Sequence, residues 1–171
     1  MYRLREIEKK DIITINNWRN DIKLIQNLGA PYRYINIDVD EKWYSDYMNN
    51  RNRQVRCAIV GDDDMILGLV SLVSIDHLNQ SAEFHIMIGT EENQGKGVGM
   101  FATTEMLRHA FFNLNLNRIE LTVLENNFRA QKLYEKVGFI REGIKRKAKY
   151  KNGCFIDMYM YSILKDDFIY K

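Results

Sequence analysis

With 171 residues, 46% of them hydrophobic, the chain can bury one sizeable core and is expected to form a single domain over 1–171. Its formal net charge of +2 does not demand a nucleic-acid partner, and no stretch approaches the ~20 apolar residues that a membrane-spanning helix needs. The opening Met1–Arg5 lacks the apolar core of a secretion signal, so a cytoplasmic setting with no membrane partner is expected.

In chain order, Tyr2 to Arg5 reads as a strand, Asp11 to Asn20 as a helix with Asp11 near its N-cap, and Asp40 to Asn50 as a second helix. Trp18 and Trp43 look like packing residues of these helices, and Trp43 with Tyr44 could also wall a pocket. Arg56 to Val60, Met65 to Ile75 and Ala82 to Ile88 follow as consecutive antiparallel strands. Asp62-Asp63-Asp64 reads as a solvated turn, because no further metal ligands are spaced around it. A helix from Gly99 to Asn113 places Met100, Thr104, Leu107, Phe111 and Leu114 on one face. Arg118 to Leu124 then returns parallel to Ala82–Ile88, since a helix-long crossover lies between them. Asn127 caps the next helix, Gly138 ends it, and Asn152-Gly153 turns Ile144–Tyr150 back onto Phe155–Leu164. The class is α/β (α+β), a mixed and mostly antiparallel sheet flanked by helices.

Cys57 and Cys154 lie in strand-like apolar runs without metal-ligand spacing, so both are expected to be buried free thiols, with no metal. The basic stretch Arg141 to Lys151 is where a nucleic-acid function would have to reside. A solvated edge hairpin is the preferred account, since charged side chains on an edge strand deter edge-to-edge pairing.

The most informative run is Gln94-Gly95-Lys96-Gly97-Val98-Gly99, between a strand and a helix. Glycines let backbone N–H groups approach an anion closely, and the positive end of the following helix points at the same spot. A Walker loop would need Ser or Thr after Gly-Lys, but Gly97 follows Lys96. Gly97, Gly99 and Ala102 satisfy a dinucleotide fingerprint, yet Glu120 falls in the middle of a strand and too few β-α repeats follow, which leaves that a minority reading.

The third match, Gln94, Gly97 and Gly99 as Gln/Arg-x-x-Gly-x-Gly/Ala, resembles the GNAT family of acetyl-coenzyme A-dependent N-acetyltransferases. The likeness runs from about Leu67 to Leu164 and includes Ala82-Glu83-Phe84, Asn127-Phe128-Arg129-Ala130 and Leu133-Tyr134-Glu135-Lys136-Val137-Gly138-Phe139. Within the family it is similar to the RimJ/RimL-like branch and, inside that, to bacterial spermidine N-acetyltransferases.

The resemblance implies acetyl-coenzyme A as cosubstrate, seated where two parallel central strands splay apart. Met87, Ile88 and Gly89 would offer backbone groups to it, and Gln94, Gly95, Lys96, Gly97, Val98, Gly99 and Met100 would cradle its pyrophosphate. Asn127 would touch the cofactor arm, although helix capping explains it as well. Tyr134 matches the family's general acid, with ring packing as the plainer role. Glu83 would bind the acceptor ammonium or relay its proton, with an exposed strand carboxylate as the alternative, and His85, on the same face, is a second candidate.

The implied acceptor is a small-molecule amine, with a polyamine such as spermidine as the first specific expectation. Ser71 stands where the polyamine enzymes usually have a glutamate, and the stretch from Asn27 to Trp43 holds Arg33 and only Asp38, Asp40 and Glu41 as acids. An amino sugar, an amino acid-like amine or a protein N-terminus therefore stay open as acceptors. From other classes, a noncatalytic acetyl-coenzyme A sensor and a nucleic-acid module stay open as well. A homo-oligomer is compatible with the sequence.

Overall fold

A computed structural model describes residues 1–169, the side chain of Glu91 excepted. Seven strands form one sheet in the order β1-β2-β3-β4-β5-β7-β6. They are β1 (Arg3–Glu6), β2 (Val55–Val60), β3 (Ile66–Asp76), β4 (Ser81–Ile88), β5 (Arg118–Leu124), β6 (Ile140–Lys151) and β7 (Cys154–Leu164). Every neighbouring pair is antiparallel except β4 and β5. Five α-helices flank the sheet: α1 (Ile12–Arg19), α2 (Ile22–Ile25), α3 (Ile37–Asn49), α4 (Val98–Arg108) and α5 (Phe128–Val137).

The single parallel pair follows from the crossover through α4, whose length forbids a hairpin return. Its register is short: Ser81 pairs with Arg118, Ala82 with Ile119 and Glu83 with Glu120, and no pairing continues beyond. The strands separate from there toward their C-terminal ends, opening a gap in the middle of the sheet.

Alternation decides what each face of the sheet meets. Ile119, Leu121 and Val123 of β5 join Val70, Phe84, Ala102, Met106 and Phe111 in the main core beneath α4 and α5. On the opposite face Leu69 and Met87 pack with Ile12, Ile15 and Trp18 of α1. Trp18 lies so close to Gly89 that a Cβ there would sit 2.1 Å from its ring, which fixes α1 against the end of β4.

Several boundaries differ from the sequence expectation. Asp11 holds the N-cap position of α1 as expected, but its side chain takes no amide of that helix and instead closes the capping box of the 3-10 turn before it. It is buried, paired with Arg5 at 2.7 and 2.9 Å, and it accepts the Glu8 amide at 2.8 Å. The expected second helix begins at Ile37 rather than Asp40, because Asn36 supplies the cap by accepting from the Asp38 amide. Short α2, capped by Asp21, was not foreseen. The buried face of α4 carries Val98, Ala102, Met106 and Leu107, while Met100 and Thr104 sit at its rim. The helix continues into a π-helical turn at His109–Asn113, where the expected Phe111 is fully buried. β6 starts four residues before Ile144 and runs along the sheet edge.

Cys154 is exposed, not buried, since it sits beside the hairpin turn. Cys57 is a half-buried free thiol whose pKa burial pushes up to about 11. Asn152 and Gly153 both have positive φ, as a tight hairpin turn requires. The hairpin's Lys151 donates to the carbonyls of Ile25 (2.9 Å) and Ala30, so part of the basic stretch is structural.

Candidate active site

A cavity of about 520 Å³ occupies the gap between β4 and β5. The strand gap, the α4 loop and the start of α5 all border it. Ile86 and Ile88 come from β4, Gln94, Gly95, Gly97, Gly99 and Met100 from the loop and α4, and Asn127, Arg129 and Tyr134 from α5.

Gly95 and Gly97 adopt φ of 83° and 85°, a region costly for any residue with a Cβ, and Gly97 is the N-cap of α4 without a side-chain cap. Among the described residues no protein acceptor takes the N–H groups of Val98, Gly99 and Met100. These first-turn donors have no partner within the helix either. The N-terminus of α5 opens at the same cavity, capped by Asn127, whose Oδ1 accepts the Ala130 amide at 3.1 Å. Two helix N-termini and a run of unpaired amides give this end of the cavity a positive potential of the kind that attracts anions.

Arg129 was missed by the sequence reading. Its guanidinium reaches the loop, donating to Gln94 Oε1 at 2.7 Å, and pairs with no carboxylate among the described residues. Its position in the first turn of α5 was legible, but the contact bridges 35 residues that only the fold brings together. Leu24, Asn27 and Leu28, around α2, also line the cavity, and no motif marked them.

Not every expected cofactor residue faces the cavity. The Met87 side chain packs on the α1 side, that of Val98 is buried in the main core and leaves only its amide at the start of α4, and Gly89 lies against Trp18 with its N–H bonded to Leu67 at 2.8 Å. Lys96 is exposed, and its carbonyl accepts from the Tyr2 hydroxyl at 3.1 Å. Asn127 has both polar ends engaged, since its Nδ2 donates to Asn27 at 3.0 Å.

Tyr134 lies at the inner end of the cavity, packed edge-on against Phe84 (6.3 Å between centroids) and Phe139 (5.6 Å). Its hydroxyl has no hydrogen-bond partner among the described residues. No fully buried polar side-chain atom among them is left unpaired, so this oxygen must open onto the cavity that Tyr134 lines. Burial pushes the phenol well above its ordinary pKa, which keeps it protonated at neutral pH.

Glu83 and His85 project from the other face of β4. Glu83 Oε1 lies 2.9 Å from His85 Nε2, and both side chains are substantially exposed. Glu120 stands beside Glu83 across the parallel pair. Arg118 bonds Glu142 at 2.9 and 2.6 Å and Glu120 at 3.2 Å, and it holds the Glu142 carboxyl down at about 2. This charged face thus lies on the side of the sheet opposite the cavity, with Glu83 and Glu120 at the last paired position before β4 and β5 part. Asp40, one of the acids the sequence offered for an acceptor wall, is fully buried and taken by Arg19 and by Asn16 (2.7 Å).

The profile of the family described as Acetyltransferase (GNAT) domain matches residues 2–140. The chain belongs to the GNAT acetyltransferase family. This GNAT protein is 31% identical to the spermidine N(1)-acetyltransferase of Vibrio cholerae over 97% of its own length and 94% of that protein's. It is also 31% identical to the Escherichia coli K12 spermidine N(1)-acetyltransferase, over 82% and 74% of the two lengths. The crystal structure of the Vibrio cholerae spermidine N-acetyltransferase with CoA and spermine superposes with a TM-score of 0.91, covering 97% of this chain and 96% of that one. The present chain is therefore an N-acetyltransferase with the mixed GNAT sheet, one parallel pair and flanking helices. Among the described residues no helix is long and apolar enough to cross a membrane.

Proposed function

We propose that this enzyme transfers the acetyl group of acetyl-coenzyme A directly to a primary amine, with Tyr134 as general acid. The observation that carries the reading is the Tyr134 hydroxyl, unpaired and protonated, facing the cavity where β4 and β5 part. The unpaired amides opening α4 and the Arg129 guanidinium would hold the pyrophosphate. The acetyl-pantetheine arm would run down the cavity toward Tyr134.

From the Glu83 face, the neutral amine attacks the thioester carbonyl. A C–N bond forms, the C–S bond breaks, and the departing thiolate takes the Tyr134 proton. The proton lost by the amine leaves to water or through Glu83, whose contact with His85 offers a relay. No metal and no covalent enzyme intermediate is required.

We also take the chain as a RimJ/RimL-like enzyme of the cytoplasm, one N-acetyltransferase domain over 1–171. Polyamines are the acceptor class that the Vibrio and Escherichia relatives suggest. The carboxylates of Glu83, Glu120 and Glu142 give that class some support. A second reading, an amine that also carries an anion, is favoured by Arg56 and developed below. The test is amine-dependent release of free coenzyme A, with the acetylated amine identified by mass spectrometry across spermidine, amino sugars, amino acids and N-terminal peptides. Spermidine acetylation would support the polyamine assignment, and release without any acetylated amine would refute the transferase reading.

A further inference from the structure

Arg56 is a cation on the acceptor face that the transfer chemistry leaves unused. On β2 it stands directly across from Ser71 of β3, and Ser71 stands directly across from His85 of β4. Residues opposed in this way share a face, so Arg56, Ser71 and His85 form one row, with Glu83 two residues from its end.

The guanidinium is half-buried, with its carbon 5.0 Å from the centre of the Trp43 ring. Its Nε donates to Gln54 Oε1 at 2.8 Å. No carboxylate pairs with it among the described residues, and its cross-strand neighbour is a buried serine. The acid that could have answered it, Asp40, is consumed by Arg19 and Asn16. Burial lowers the Arg56 pKa, with Tyr47 opposing and the like charge of Arg19 adding to the shift. A partly dehydrated cation without a counter-charge is unfavourable by itself. Its free terminal N–H groups keep the planar fork that fits a carboxylate or a phosphate.

We infer that the acceptor carries, besides its reactive amine, an anionic oxygen group, carboxylate or phosphate, which Arg56 holds against Trp43. The inference rests on the acetyl-transfer reading and departs from the polyamine assignment suggested by the relatives. With strands spaced ~4.8 Å apart, the backbones of Arg56 and His85 lie about 10 Å from each other. That span suits a compact molecule lying across β3, its amine at Glu83 and its anion at Arg56. Amino sugar phosphates and amino acid derivatives have these features. Spermidine offers nothing to Arg56 and brings further positive charge toward it.

Two matched pairs and one polyamine test this: glucosamine 6-phosphate against glucosamine, glutamate against its diamide, and spermidine. The parent is expected to favour the anionic member of at least one pair by about 10- to 100-fold in kcat/KM, the scale of a charge-assisted hydrogen bond. The phosphate and carboxylate arms show which oxyacid is read. In Arg56→Met that preference should collapse toward unity, and Arg56→Lys should restore part of it, while coenzyme A still binds on the far side of the sheet. Calorimetry of the same compounds with coenzyme A present reads the anion preference without turnover. If no amine is acetylated but this preference is seen and is lost in Arg56→Met, the anion site stands and the transferase reading falls. Higher efficiency with spermidine than with every anionic amine, or an anion preference that survives Arg56→Met, would overturn the inference and leave acetyl transfer intact.

Discussion

Tyr134→Phe removes a single oxygen and separates chemistry from packing. The ring keeps its contacts with Phe84, Phe139 and Tyr161, whose centroids lie 6.3, 5.6 and 6.3 Å away. Because the hydroxyl bonds to no described residue, its loss orphans no partner, and stability should change by less than about 1 kcal/mol. The chemical step loses its proton donor and should slow by about 10²-fold, equivalent to ~2.7 kcal/mol of barrier. Single-turnover measurement of coenzyme A release, with calorimetry of coenzyme A and a melting curve for each protein, separates these terms. The parent's rate should rise with pH as the amine loses its proton. It should not fall near pH 10, since burial holds the phenol above its ordinary value. A variant as fast as the parent when chemistry limits the rate would assign Tyr134 to packing alone.

Gly97→Val should raise the dissociation constant for coenzyme A. A Cβ at Gly97 meets nothing within 4 Å, but φ of 85° imposes about 1–2 kcal/mol of strain that re-aims the unpaired amides of α4. Calorimetry giving the parent's affinity in a folded variant would remove the loop from the cofactor site. Glu83→Gln should lower acceptor kcat/KM by about 10-fold or more while coenzyme A binding holds, and unaltered acceptor kinetics would dismiss Glu83. Glu142→Gln tests the electrostatics of the open face. The folded carboxyl titrates at about 2, below its ordinary value of 4.5, so its stabilisation is complete above about 4.5 and fades as pH falls toward 2. The melting-temperature gap between parent and variant should accordingly shrink from pH 6 to pH 3, and a constant gap would mean that the Arg118 pair contributes nothing.

Much of this arrangement was legible in the sequence because it is written in local patterns. Alternation marked β5 at its observed limits, Gly138 ended α5 in a left-handed turn with φ of 114°, and the loop glycines took the conformations that only glycine adopts cheaply. Capping was harder to read. Asp11 stands at the N-cap position of α1 as expected, but its carboxylate is taken by Arg5 of β1, and the cap of α3 is Asn36, which no pattern singled out. Along α4 the expected face held at its far end, where Leu107 and Phe111 are buried, and missed in its first turns, where Met100 and Thr104 sit at the rim. At the site, motif residues such as Gln94, Gly97 and Tyr134 fall around one cavity, whereas Arg129 and Arg56 act through partners distant in sequence or strand neighbours known only from register. The fate of Asp40 was similarly hidden, since its neutralisation depends on how α1 crosses α3.

The central claim, acetyl transfer to an amine at the opening between β4 and β5, is tested most directly by incubating the protein with acetyl-coenzyme A and the acceptor panel. Free thiol is followed continuously, and products are weighed by mass spectrometry. The account predicts thiol release that depends on a primary amine, stoichiometric with an amine product heavier by one acetyl group, and slowed about 10²-fold in Tyr134→Phe. Tight binding of acetyl-coenzyme A with no amine-dependent thiol release across the panel would contradict it and favour a noncatalytic acetyl-coenzyme A sensor.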